Sequence, residues 1–202
     1  MQLVVLTNDA LKEELLPNTE ANSQSIIWIE HLSQLQNYKE ANAFIDLLFE
    51  MGHLAVLETL LPKTVIINSV VDTLSLTNKS FVRINGWPTF LRSAAIEASA
   101  LEQDRKSLTE TIFSIFNRTL EWLPDQPGFV TPRVISMILN EAYISLQEGV
   151  STKEEIDTAM KLGTNYPYGP FEWAEKIGID NIKSLLERLS KHQPRYTSFI
   201  PG

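Results

Sequence analysis

The 202 residues carry 17 Lys and Arg against 25 Asp and Glu, a formal net charge of -8 at pH 7, so the chain lacks the basic balance that nucleic-acid phosphates require. With no cysteine, disulfides, thiolate nucleophiles and sulfur-bound metals are excluded. A hydrophobic content of 44% fills an ordinary globular core, no apolar run approaches the roughly 20 residues that span a bilayer, and no basic stretch precedes the first strand, so the expectation is a cytoplasmic protein without metal, membrane or nucleic-acid partner.

In chain order, short apolar runs rich in β-branched residues come first, at 2–6, 25–29, 44–49, 64–71 and 81–84. They have strand length, and helical or turn-like material separates most of them, which predicts a mostly parallel sheet covered on both faces. Between the first two runs there is room only for a short helix before Pro17, so the sheet is expected to be minimal. The stretch 49–69 reads as strand end, helix, Pro62 as a stop, and strand, a small βαβ crossover.

From about residue 125 the period becomes helical. Thr131 suits an N-cap and Pro132 the first helical position; Val134, Ile135, Ile138, Leu139, Ala142, Tyr143 and Leu146 follow on one face, and Gly149 suits a left-handed C-terminal cap. Ser151 and Glu154 have capping-box spacing for a second helix that closes before Gly163. A third runs from Pro170 to Gly178, and a fourth ends ahead of Pro194. The division expected is 1–124, a degenerate Rossmann-like α/β domain, and 125–202, a helical domain.

Residues 140–180 resemble the C-terminal domain of the 3-hydroxyacyl-CoA dehydrogenases. Asn140, Glu141, Ala142, Gly149, Ile156, Asp157, Ala159, Met160, Gly163, Tyr166, Pro167, Gly169, Pro170, Phe171, Gly178 and Asp180 fall at that family's motif positions. The Pro-Arg-Tyr at 194–196 is similar to its tail. Upstream the likeness is fainter: 124–130 resembles the family's Asp-x-Pro-Gly-Phe, 42–74 its second sheet half, and 81–99 its His-Phe-Phe-Asn-Pro and catalytic Glu region. The chain is some 60 residues shorter before Pro-Gly-Phe than the family pattern implies, as though the helical hairpin after the second strand were missing.

The resemblance implies NAD-dependent oxidation of the 3-hydroxyl of an acyl-CoA. In that scheme a His takes the hydroxyl proton, a Glu orients the His, and a Ser and an Asn hold the substrate oxygen. Here the His position is Asn85, whose amide is no base near neutrality. The Asn position is Pro132, with Arg133 beside it as a remaining substrate-side residue. The Ser position falls on Asp72 or Thr73, and Glu97 survives. For the cofactor, Glu30 could read the adenine ribose. The turn Thr7-Asn8-Asp9 has no glycine, the first being Gly52, and Asp9, Glu13 and Glu14 would place negative charge where a pyrophosphate lies.

The expectation is therefore a homologue that retains acyl-CoA-like ligand binding or a dimerising role without redox activity, and without NAD(H). The alternatives are an active NAD(P)-dependent enzyme with Glu97 or Asp72 as base, or a structural partner subunit. Glu97, if buried, needs Arg83, Arg92 or Asn85 as a partner. His31 and His53 are expected on the surface, Asp157 and Glu172 on exposed helix faces, and Trp87, Trp122 and Trp173 in packing roles.

Overall fold

The computed structural model describes residues 1–16 and 26–201; the stop at Pro17 and the first residue of the run at 25–29 lie outside them. The chain divides into two compact units, Met1–Phe129 and Val130–Gly202.

In the first unit β1 (Leu3–Leu6), β2 (Ile26–Ile29), β3 (Ala43–Asp46), β4 (Thr64–Asn68), β5 (Val82–Ile84), β6 (Ala95–Ser99) and β7 (Thr119–Trp122) form one sheet of order β2-β1-β3-β4-β5-β6-β7. The first five strands run parallel, β6 reverses against β5, and β7 runs parallel to β6. The sheet is thus wider than the minimal one expected. Its two added strands lack a strong local signal: Ala-Ile-Glu-Ala-Ser has a single β-branched residue, and pairing with β5 and β7 makes it a strand.

Successive residues alternate between the faces. Leu3, Val5, Ile45, Ile66 and Ile84 pack with Leu11 and Leu15 of α1 (Asp9–Leu15) and with Ile112 and Phe113 of α3 (Gln103–Ser114). Val4, Leu6, Phe44, Val65 and Ile67 pack on the other side with Leu57 of α2 (Leu54–Glu58) and Leu35 of a 3-10 segment, Leu32–Tyr38. Both faces are covered, which is why these strands read as unbroken apolar runs; each buried Leu, Ile or Val contributes about 2 kcal/mol. The 3-10 segment is the helical element between β2 and β3, so no long hairpin stands there.

Arg83 on β5 is fully buried. Its Nε donates to Asp125 Oδ1 at 2.6 Å, Nη1 to the Ser69 carbonyl at 3.0 Å, and Nη2 to the Gln126 carbonyl. Its guanidinium carbon lies 4.2 Å from the centre of the Phe129 ring. Asp125 also accepts the Leu74 N–H. The last residues of this unit are thereby pinned to the loop that follows β4.

The second unit contains α4 (Thr131–Gln147), α5 (Lys153–Thr164), α6 (Pro170–Ile177) and α7 (Ile179–Ser190). The boundaries correct the sequence at three points. Thr131 is already helical, with Val130 at the cap; the capping box is Thr152 with Glu155, one residue later than expected; and α5 continues through Gly163 to a left-handed Asn165 (φ 57°). Gly149 (φ 70°) does take the left-handed position after α4. Ile135, Leu139, Ala142 and Tyr143 face the core with Phe171, Trp173, Ile177, Ile182, Leu185 and Leu186, but Val134 is 48% exposed. Asn140 anchors the tail, its Nδ2 donating to the Thr197 carbonyl and its Oδ1 accepting the Phe199 N–H.

Asp157 is buried, against expectation. Its carboxylate accepts the N–H groups of Phe171 (2.8 Å) and Glu172 (3.2 Å), so a side chain from α5 caps α6. Glu172 is half-buried: it accepts the Gly169 N–H and pairs with Lys161 at 2.5 Å, and that ammonium holds its carboxyl below the usual range.

Candidate functional site

Parallel strands bring their carboxyl ends to one edge of the sheet. Thr7 and Asn8 follow β1, Asp46 ends β3, Asn68 ends β4 and Asn85 follows β5. The chain crosses from β2 past β1 to β3, so the topological switch point, where open α/β sheets bind ligands, lies between β1 and β3.

Asn85 and Glu97 meet because β6 reverses. The register pairs Ile84 with Ala98, which sets Asn85 opposite Glu97. The Asn85 N–H donates to the Glu97 carbonyl at 2.9 Å, and Nδ2 donates to Glu97 Oε2 at 3.0 Å. Asn85 is 2% exposed, and its Oδ1 is buried with no hydrogen-bond partner among the described residues. Asn85, one of the three partners the sequence offers Glu97, is bonded to it.

Asn68 at the end of β4 is a further polar residue at this edge. It joins three strand ends: Nδ2 donates to the carbonyls of Leu47 and Gly86, and Oδ1 accepts the Gly86 N–H, all at 3.0 Å. A Cβ on Gly86 would come within 2.7 Å of Asn68 Cγ, so only glycine fits there. The legible signal was an Asn closing an apolar run with an Asn-Gly pair downstream.

His53 is a second correction. It is largely buried, and its Nδ1 donates to Asp46 Oδ2 at 2.7 Å, while Asp46 also accepts the Leu48 N–H. Burial raises the Asp46 carboxyl above its ordinary value, outweighing the opposing bond from His53. His31 is exposed, as expected.

At the β1 to α1 turn, Asn8 is the N-cap and its side chain accepts the Leu11 N–H at 2.9 Å. Asp9 stands in the first helical turn. Glu14, however, faces elsewhere: both its oxygens accept the Thr89 N–H (2.9 and 2.8 Å), and Arg92 pairs with it at 3.2 Å. Its charge is spent at the far end of α1, contrary to the sequence expectation.

Glu30 is exposed directly after β2, four strand positions from β5 and so roughly 19 Å away. Asp72 is half-buried in the loop after β4, its carbonyl accepting the Ser69 hydroxyl. Thr73 is buried, with its hydroxyl on Ser75. Arg133 belongs to the second unit, in the first turn of α4. There it lines a cavity of about 450 Å³ with Val134, Met137, Ile138, Glu141 and Tyr196. Among the described residues no group of three or more His, Asp or Glu could hold a metal, and no helix is long and apolar enough to cross a membrane.

Residues 128–199 match the model of the 3-hydroxyacyl-CoA dehydrogenase C-terminal domain. Among curated relatives, the 3-hydroxyadipyl-CoA dehydrogenase of Escherichia coli is 47% identical over 75 residues, 37% of this chain and 16% of the relative. The mitochondrial hydroxyacyl-coenzyme A dehydrogenase of Mus musculus is 42% identical over 78 residues, 39% of this chain and 25% of the relative. The 3-hydroxybutyryl-CoA dehydrogenase of Clostridioides difficile is 34% identical over 107 residues, 52% and 36% respectively. The matched stretches are thus well under half of the length of these relatives.

In fold, the chain is similar to the (S)-3-hydroxybutyryl-CoA dehydrogenase of Ralstonia eutropha, with TM-score 0.69, 24% identity, and 93% of this chain against 72% of that one. It is also similar to a 3-hydroxybutyryl-CoA dehydrogenase of Escherichia coli, with TM-score 0.68, 16% identity, and coverage of 98% and 54%. The helical unit thus matches the C-terminal domain of the 3-hydroxyacyl-CoA dehydrogenases, and the chain's fold is similar to that of solved 3-hydroxybutyryl-CoA dehydrogenases.

Proposed function

We propose that this protein is a redox-silent member of its family that binds an acyl-CoA-like ligand without transferring hydride. The carrying observation is the Asn85–Glu97 pair: the carboxylate that would orient a base holds an amide instead. An amide has no titration near neutrality by which to accept the hydroxyl proton.

The first turn of the sheet supports the same reading. A dinucleotide pyrophosphate needs bare backbone N–H groups at a helix start, but here Asn8 already occupies the Leu11 N–H and Asp9 adds charge of the wrong sign. The residues present do not fit the diphosphate of NAD(H). Glu30 alone matches a dinucleotide site, and a ribose contact cannot hold the cofactor without its phosphates.

The test mixes the pure chain with NADH and acetoacetyl-CoA and follows absorbance of the reduced cofactor. No turnover is expected, for the wild type or for Asn85→His, since a restored base still lacks a cofactor site. Turnover at a family-like rate, or saturable NADH or NADPH binding below millimolar concentration, favours the rewired enzyme with Glu97 or Asp72 as base.

A second reading, pairing through the helical unit, is favoured by one observation. Val130 and Val134 are 54% and 48% exposed at the start of α4, and Val134, Met137 and Ile138 form the apolar wall of its cavity. An exposed apolar patch of this kind is one that a second copy can cover.

A further inference from the structure

A second cavity of the helical unit, of about 320 Å³, lies where α4, the start of α5, α6 and the start of α7 meet. Tyr143, Phe171, Ala174 and Ile179 give it an apolar floor, and the Tyr143 and Phe171 rings meet edge to face with 5.1 Å between their centres. Lys153 and Glu175 line it as well, one cation and one anion. An apolar hollow of this size with a few convergent polar groups has the make-up of a small-molecule site.

Four polar features around it go unanswered within the chain. Lys153 opens α5, the end of a helix that disfavours a cation. Its ammonium rests 5.9 Å from the centre of the Tyr143 ring and 5.5 Å from that of Phe171, in no ion pair among the described residues. Glu155, in the same first turn, is taken up by Ser151 and Thr152. Glu175 is likewise without a paired cation among the described residues. Tyr143 is only 7% exposed, and its hydroxyl has no partner among the described residues; burial pushes its pKa up, so it keeps a hydrogen to donate. Gly178 brings no side chain to cap α7, so the N–H groups of Ile179 and Asp180 find no acceptor in the helix.

We propose that this cavity binds a free α-amino acid with an apolar side chain. The carboxylate of the ligand meets the Lys153 ammonium, the Tyr143 hydroxyl and the start of α7, its ammonium meets Glu175, and its side chain lies against Phe171, Ala174 and Ile179. A plain carboxylic acid leaves Glu175 facing a like charge, and a plain amine does the same to Lys153. One cation beside one anion therefore selects a zwitterion. The site belongs wholly to Val130–Gly202, so it stands whether or not the sheet edge holds an acyl-CoA-like ligand.

The test is calorimetric titration of the full chain with L-leucine and L-phenylalanine. Each is set beside the same molecule without its amino group, isocaproate or hydrocinnamate, and without its carboxylate, isoamylamine or phenethylamine. At least one amino acid is expected to bind saturably at or below millimolar concentration, and its two analogues at least about tenfold more weakly. Lys153→Met and Glu175→Gln, both at exposed positions, are expected to weaken that amino acid by a similar factor, and Glu175→Gln to bring it level with its deaminated analogue. No saturable binding of either amino acid, an analogue that binds as tightly as its parent, or an affinity unchanged in either variant overturns the proposal. Should a variant fold poorly, the wild-type series still decides.

Discussion

A methyl group on Gly169 would overlap the carboxylate of Asp157, whereas one on Gly178 meets nothing nearer than Asn181 Nδ2 at 3.4 Å. The two glycines are needed for different reasons. Gly169 has φ of -75°, which any residue adopts, so Gly169→Ala acts by pushing away the carboxylate that caps α6. Gly178 has φ of 91°, so Gly178→Ala acts through backbone strain alone. In urea titrations Gly178→Ala should cost about 1–2 kcal/mol. Gly169→Ala should cost about 2–3 kcal/mol, the steric clash adding to the lost cap bonds. Its effect should be non-additive with Asp157→Ala, which has already given up the cap.

Asp46 gives a pH-dependent counterpart. Its carboxyl is raised in the fold, so this residue's contribution to stability is fully present below the ordinary aspartate range and is lost as pH rises through the raised value. Asp46→Asn lacks that loss, so the stability of the variant relative to wild type should increase as pH climbs from the ordinary range of an aspartate toward neutrality. A difference that stays flat would contradict the raised carboxyl. Neither Asp46 nor Asp157 could be placed from the sequence, because their partners lie elsewhere in the chain, at His53 and at 171–172. Glu97 was legible because one of its partners sits on the neighbouring strand.

Among the elements, Arg83 on β5 has the largest local consequence. Burial lowers its pKa and the adjacent Asp125 opposes that shift, so the side chain serves as a buried cation bonded to one carboxylate and the carbonyls of two loops. Arg83→Met leaves Asp125 and those carbonyls bare and should cost about 3–5 kcal/mol by denaturant unfolding. Arg83→Lys should recover little, since an ammonium cannot reproduce the fork. The first five strands could be read directly because burial on both faces demands apolar, β-branched runs. By contrast β6, β7 and α3 are set by their neighbours: β7 is an edge strand with no fully buried residue, and α3 is only weakly amphipathic. The order of helices in the second unit was legible, its errors lying at the helix ends, where Ser151 and Thr152 offer equivalent hydroxyls and α5 runs on through Gly163, and in the faces given to Val134 and Asp157.

At the scale of the whole molecule, the two proposed roles use different units. Ligand binding is proposed for the carboxyl edge of the sheet in Met1–Phe129, and pairing for α4 in Val130–Gly202. If pairing holds, sedimentation should find a dimer, and Val134→Asp should convert it to a monomer that still unfolds cooperatively, since that side chain is 48% exposed in the single chain. A monomeric wild type would remove the pairing role and leave the ligand role standing. The four tryptophans are divided to match: Trp28, Trp87 and Trp122 belong to the first unit and Trp173 to the second. Trp87, two positions beyond Asn85, is 5% exposed, and Trp173 is equally buried beneath the edges of Tyr166 and Tyr168. Trp173→Phe therefore leaves every indole in the first unit, and a change of emission that survives this variant reports an occupant of the sheet edge, whereas one that vanishes with it reports a companion seated on the helices.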